Sequence, residues 1–130
     1  MSKRSSAQKL GIQPGMQIYL KSIPQDYFKN TGLNPKSNYE ELCHKNYNFM
    51  HIFSKSHSGL IKVLEEVVPL LAKDGLVWLS WPKKSSKIET TLDKWKIMEA
   101  GQLAGLVDVK VLSYNDNWSS LKFVYRLKDR

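Results

Sequence analysis

The chain predicts an α/β domain with three layers, spanning residues 1–130, in which a mostly parallel sheet ends in a C-terminal antiparallel hairpin. Three observations carry this expectation. Two near-continuous apolar runs, Phe49-Met50-His51-Ile52-Phe53 and Leu76-Val77-Trp78-Leu79, have the character of strands covered on both faces. Between them Leu60, Val63, Leu64, Val67, Val68 and Leu71 recur at the spacing of one helical stripe. The end of the chain alternates apolar and polar residues twice across a polar turn, which is the pattern of a hairpin.

Each element follows in order. Residues 5–11 fit one or two helical turns with Ser5 or Ser6 as cap, and Pro14-Gly15 marks a turn. Residues 16–22 alternate as a first strand. Pro24 suits the opening of a short helix that stops near Gly32. Pro35-Lys36-Ser37-Asn38 reads as loop, and Tyr39 to Cys43 as a short, poor edge strand. Tyr47 to Ser54 is the second clear strand. Ser56 caps the helix that follows, Pro69 loosens its last turn, and Asp74-Gly75 ends the unit. Leu76 to Trp81 is the third clear strand. Thr90-Thr91-Leu92-Asp93 starts a helix that carries Leu92, Trp95 and Met98 inward and ends at Gly105. Val107, Val109 and Val111, then Leu121, Phe123, Tyr125 and Leu127, form the two arms of the hairpin around Asn115-Asp116-Asn117. Strand, helix, strand, helix and closing hairpin make a Rossmann-like pattern, with 47–54 and 76–81 as adjacent central strands.

Composition narrows the function classes. No stretch approaches the ~18 consecutive apolar residues of a membrane helix, so no membrane partner is expected. The basic start Met1-Ser2-Lys3-Arg4 has no apolar segment behind it and does not read as a secretory signal. A lone cysteine, Cys43, excludes an intramolecular disulfide and predicts a reducing, cytoplasmic setting. Lys plus Arg number 20 against 12 Asp plus Glu, a net charge of +8. That balance permits an anionic small molecule or a polyanion such as nucleic acid as partner. The plainer account is a lysine-rich soluble surface, since the lysines are spread along the chain.

The crossover helix, the run Gly105-Leu106-Val107-Asp108-Val109-Lys110-Val111 and an antiparallel return strand resemble the second half of class I methyltransferases. A closer resemblance, over nearly the whole length, is to the bacterial domain-of-unknown-function family 3052. It is carried by Lys9-Leu10-Gly11-Ile12 with Pro14-Gly15, by Pro82-Lys83-Lys84-Ser85-Ser86, by Gly105-Leu106-Val107-Asp108 with Lys110-Val111, and by Trp118-Ser119 with Leu121-Lys122-Phe123. The resemblance implies a compact Rossmann-like domain and implies no activity.

Read residue by residue, the chain lacks the usual cofactor signatures. Binding S-adenosylmethionine in the usual way needs a glycine-rich turn after the first strand, where the backbone must approach the cofactor. Here that strand runs into Lys21-Ser22-Ile23-Pro24-Gln25, and Cys43-His44 stands where an acid for the ribose is wanted. The same absence argues against a dinucleotide fingerprint, so no cofactor is assigned. Cys43, His44, His51 and His57 match no zinc spacing. His51, inside an apolar strand, reads as a core histidine with one nitrogen hydrogen-bonded.

The candidate site is an anion site at the strand ends: Lys83, Lys84, Ser85 and Ser86, joined by Ser22 after the first strand and Ser56 at a helix start. Free N–H groups after Ser56 and Thr90 would assist. A solvated connector, which Lys87 fits equally well, is the plain alternative. Asp116, Trp118 and Ser119 form a second candidate surface site, against the simpler reading of turn formers and a tryptophan packed over the sheet edge. The preferred function is a non-enzymatic or degenerate Rossmann-like domain that accepts an anion. One alternative is a divergent methyltransferase or a transferase acting on a phosphorylated ligand. Another is nucleic-acid binding driven by charge.

Overall fold

The computed structural model of the protein describes residues 10–12, 16–25, 27–31, 33, 39 and 46–129. Among these the chain runs β1 (Ile18–Lys21), α1 (Tyr27–Thr31), β2 (Tyr47–Phe53), α2 (His57–Val67), β3 (Leu71–Pro82), α3 (Lys94–Leu103), β4 (Leu106–Ser113) and β5 (Trp118–Tyr125), with 3₁₀ turns at Val68–Leu70, Lys84–Ser86 and Leu127–Asp129. The expected turns at 5–11 and Pro14-Gly15, the stop at Gly32, the loop at 35–38 and the strand at 39–43 fall wholly or partly outside the described residues. Tyr39 itself supplies a carbonyl to the Leu20 N–H at 3.0 Å, on the outer side of β1.

The strands form one sheet in the order β1-β2-β3-β5-β4. β1, β2 and β3 pair in parallel, but β5 pairs antiparallel with both β3 and β4. The sheet is therefore mixed, and the mostly parallel sheet expected from the sequence is not found. The hairpin does not extend the rim with its last strand outermost. β5 inserts next to β3 because it is the arm that must be covered: Ser120, Leu121 and Phe123 are buried, whereas β4 exposes Val109 and Val111 and takes the edge. A bulge between Asp108 and Lys110 interrupts that edge.

β2 and β3 are adjacent interior strands, as their apolar runs require. β3 is longer than Asp74-Gly75 led one to expect, because the turn signal is absorbed into a bulge. Tyr47 pairs Leu71, and the next partners are Phe49 and Leu76. A Cβ at Gly75 would stand 2.8 Å from the Tyr47 carbonyl oxygen, so only glycine lets the strands close there.

Alternation along the strands sends side chains to two opposite cores. One joins Met50, Ile52, Val77, Leu79, Leu121 and Phe123 to Leu60, Leu64 and Val67 of α2 and to Ile97 and Ala100 of α3. The other joins Leu20, Phe49, Phe53 and Trp78 to Tyr27 of α1 and to Leu10, whose carbonyl accepts the Trp78 indole N–H at 2.7 Å. Ser56 caps α2, its hydroxyl accepting from Gly59 N at 3.2 Å, and Pro69 turns the helix end into a 3₁₀ turn. α3 begins later than expected, at Lys94 with Asp93 as cap. Leu92 and Met98 pack on the core as expected, but Trp95 does not: Ile97, Ala100 and Gly101 are buried while Trp95 is 72% exposed. Gly101 explains the choice, since any Cβ there would run into the Phe123 ring. The helix docks through Ile97, Ala100 and Gly101, and the indole is left outside.

Candidate functional site

Parallel pairing brings the ends of β1, β2 and β3 to one edge of the sheet. Lys21, the last residue of β1, is in register with Ile52, and Pro82 at the end of β3 pairs Trp118, the first residue of antiparallel β5. Trp118 therefore reaches the same edge from the opposite chain direction. Between these ends lies a cleft of about 550 Å³. It is lined by the apolar Ile52, Phe53, Val63 and Trp118, by Ser22 and Ser56, by Ser54, whose hydroxyl donates to the Ser56 carbonyl at 3.0 Å, and by Lys21 and Lys55. The Trp118 ring rests edge-on against Phe53, with centroids 5.1 Å apart.

The loop after β1 holds a strained residue in this cleft. Ser22 has φ +56°, the left-handed region that normally favours glycine. The turn thus takes a glycine-like conformation without the glycine, and its hydroxymethyl group lines the cleft. On the opposite wall, residues 54–57 are tied to the loop before α3. Thr90 Oγ1 donates to the Lys55 carbonyl at 2.6 Å, Thr91 N donates to the same oxygen at 3.0 Å, and His57 N donates to Thr91 Oγ1 at 3.0 Å. Those two threonines bridge loops instead of starting a helix. Three of the N–H groups at these helix starts are engaged within the chain: His57 N goes to Thr91 Oγ1, Gly59 N to Ser56 Oγ and Lys96 N to Asp93 Oδ1.

A second hollow, about 710 Å³ and more open, adjoins the cleft and shares Lys55 with it. Lys83, Lys84 and Lys87 line it, with Glu89, Thr90 and Thr91. Lys83 is steadied on two sides, its ammonium donating to Ser113 Oγ and its backbone N–H to the Asn117 carbonyl. Lysines far apart in sequence are therefore gathered at one edge, which their linear spread does not reveal.

Next to this open edge lies a closed polar chain. Tyr27 OH meets His51 Nδ1 at 2.9 Å, His51 Nε2 meets Ser80 Oγ at 2.7 Å, and Ser80 Oγ meets Ser120 Oγ, all buried. Burial pushes the His51 imidazole down to about 3 and the Tyr27 phenol far above its usual range. His51 is thus a neutral core histidine with both nitrogens engaged, one more than expected. A neutral ring with one donor and one acceptor nitrogen suits this chain. His51 and Ser80 are fully buried and line none of the three hollows at this edge.

The candidate residues therefore divide. Ser22 and Ser56 share the cleft, and Lys83 and Lys84 line the neighbouring hollow. Ser86 is spent locally, donating to the Lys83 carbonyl at 2.6 Å and accepting from Ile88 N at 3.2 Å. Ser85 is exposed in the same turn and lines neither hollow. Of the second set, Trp118 belongs to the cleft, Ser119 pairs with Trp81 and lines a third hollow, and Asp116 is exposed at the hairpin tip. Asn115, not Asp116, builds that tip, accepting from Asn117 N and Trp118 N at 2.9 Å. Sequence reasoning missed Lys21, Ser54 and Lys55, all at strand ends, where the rule that ligands collect at carboxyl edges points to them. Cys43 and His44 lie outside the described residues, among which no cluster suits a metal. No helix among them is long and apolar enough to cross a membrane.

This arrangement is similar to solved methyltransferases. A TehB-like SAM-dependent methyltransferase from Corynebacterium glutamicum superposes with a TM-score of 0.63 at 10% identity, covering 96% of this chain and 90% of that one. A ribosomal protein L11 methylase from Lactobacillus delbrueckii subsp. bulgaricus gives 0.57 at 11%, covering 93% and 75%. A protein assigned as a type 11 methyltransferase from Sulfolobus solfataricus gives 0.52 at 18%, covering 69% of this chain, which spans only 56% of that structure. At such identities the likeness establishes the fold, that of class I methyltransferases, and nothing of the chemistry. No curated protein sequence matches. The family model of the proteins of unknown function DUF3052 matches residues 49–127, from β2 through β5, and the chain belongs to that family.

Proposed function

We propose that residues 1–130 form one ligand-binding domain of methyltransferase-like fold, non-enzymatic or degenerate, whose cleft accepts an anionic small molecule with an apolar body. The observation that carries this reading is the cleft itself. Apolar side chains at Ile52, Phe53 and Trp118 line it together with the Ser22 hydroxyl and the ammonium groups of Lys21 and Lys55. Such a mixture suits a ligand with one flat apolar part and one charged part. Lys83 and Lys84 reinforce the potential from the adjoining hollow. The single cysteine supports a reducing, cytoplasmic setting.

A second reading, a divergent methyltransferase, draws on one observation: the glycine-like φ of Ser22 at the turn after β1. Thermal-shift measurements against S-adenosylmethionine, S-adenosylhomocysteine, nucleotides and sugar phosphates separate the two. Stabilisation beyond ionic-strength controls by phosphorylated ligands supports the first. Stabilisation by the sulfonium cofactor and its product, with no response to phosphates, supports the second. No stabilisation by any of them removes both.

A further inference from the structure

We propose that the cleft is one end of a track for single-stranded nucleic acid, running along the carboxyl edge of the sheet to the start of α3. This rests on the anion-binding reading and names the class of its ligand. Three hollows adjoin in a row. The cleft and the second hollow share Lys55; the second and a third, of about 350 Å³, share Lys83, Lys84 and Thr90. The third reaches Trp81, Lys94 and Trp95.

Charge along this line is one-sided. Lys21, Lys55, Lys83, Lys84, Lys87 and Lys94 face two carboxylates, Glu89 and Asp93. Asp93 is already engaged as the cap of α3, accepting from Lys96 N at 2.9 Å. Among the described residues none of these six lysines forms an ion pair with a carboxylate. A free small molecule would be served by the first hollow alone, whereas repeated cations along a groove match a ligand with repeated negative charge.

Aromatic rings stand at both ends. Trp118 lines the cleft, and Trp95 is 72% exposed beside the third hollow. An indole that open contributes little to the core, and docking of α3 through Gly101 is what leaves it outside. Lysines that follow a backbone, interleaved with rings on which bases stack, are the means by which single strands are held without sequence preference. A duplex keeps its base faces stacked inside and offers none to an indole.

The test uses the full chain with labelled thymidine and uridine strands of about 12 nucleotides, the matching mononucleotides, and inorganic polyphosphate, at about 50 to 200 mM salt. The track predicts that the strands bind at least about tenfold tighter than the mononucleotides and quench tryptophan fluorescence. Trp95→Ala, at an exposed site, should leave the melting temperature unchanged and weaken strand binding about 5- to 100-fold, with polyphosphate binding unaltered. The double variant Lys83→Ala, Lys84→Ala should flatten the salt slope by about 1.4. Tighter binding of the uridine strand assigns RNA, and equal affinity assigns any single strand. If mononucleotides bind and the strands bind no tighter, the track is wrong and the anion cleft stands. If polyphosphate binds as well as the strands and Trp95→Ala changes nothing, the edge is a simple ion attractor and the track is again wrong. If neither strands nor mononucleotides bind at the lowest salt, both readings fall.

Discussion

At His51 the polar chemistry of β2 is closed; four residues on, at Lys55, it is open. The imidazole has a buried partner on each nitrogen, Tyr27 and Ser80, and Ser80 passes the chain on to Ser120. Lys55 stands between two hollows and has no carboxylate partner among the described residues. Both would count equally as chemistry-bearing residues in a sequence. Satisfaction and access distinguish them: the first fixes α1, β2, β3 and β5 to one another, and the second leaves charge facing solvent where a ligand can supply the partner.

The sharpest way to break this contrast is to cut the closed chain. His51→Ala leaves the buried Tyr27 hydroxyl without its partner, takes one of two partners from Ser80 and opens a cavity, so stability should fall by about 3–5 kcal/mol in urea unfolding. A loss below about 1 kcal/mol would mean that the chain is not structural. The same residue predicts a pH dependence. Its folded pKa is lowered to about 3, against about 6.5 unfolded, so its contribution is complete above 6.5 and is lost as pH falls towards 3. Wild type should lose about 1.4 kcal/mol per pH unit across that window more than His51→Gln does, and parallel curves would contradict the burial argument.

Gly101→Ala tests the docking that leaves Trp95 outside. Overpacking against Phe123 should cost about 1–3 kcal/mol, read from the urea midpoint, and an unchanged midpoint would show that α3 has another way to seat. Ser22→Gly works in the opposite direction. Removing the side chain at φ +56° should raise stability by about 0.5–1 kcal/mol while deleting a hydroxyl from the cleft. A melting temperature that falls would show that the Ser22 side chain holds the turn.

Much of the fold was legible because local pattern and global burial agree. The apolar runs Phe49 to Phe53 and Leu76 to Leu79 lie in the interior strands β2 and β3; the stripe from Leu60 to Val67 is α2; the alternation around Phe123 is β5. The failures have physical causes. A period count treats Trp95 as an inward residue, but contact with Phe123 selected the face that contains Gly101. Asp74-Gly75 signals a turn in sequence, yet becomes a bulge because Leu71 pairs Tyr47. The placement of β5 beside β3 is a non-local pairing that no window of residues contains. The site was half legible for the same reason. Ser22, Ser56, Lys83 and Lys84 were readable as strand-end residues, but Lys21 and Lys55 join them only through the pairing of β1 with β2.

The smallest expected effect on stability belongs to the open edge. Lys83→Ala with Lys84→Ala should move the melting temperature by no more than about 2–3 °C, since Lys84 is exposed and Lys83 gives up one solvent-exposed hydrogen bond and, among the described residues, no ion pair, while removing any stabilisation by phosphate. The most direct measurement of the central claim is a two-dimensional amide NMR titration of the wild-type chain with phosphate, with sodium chloride at matched ionic strength as control. Phosphate should produce saturable shifts confined to Ser22, Ser54 to Ser56 and Lys83 to Lys87, with His51, Ser80 and Gly101 unmoved. Shifts that chloride reproduces, or that spread evenly through the sheet, would contradict it.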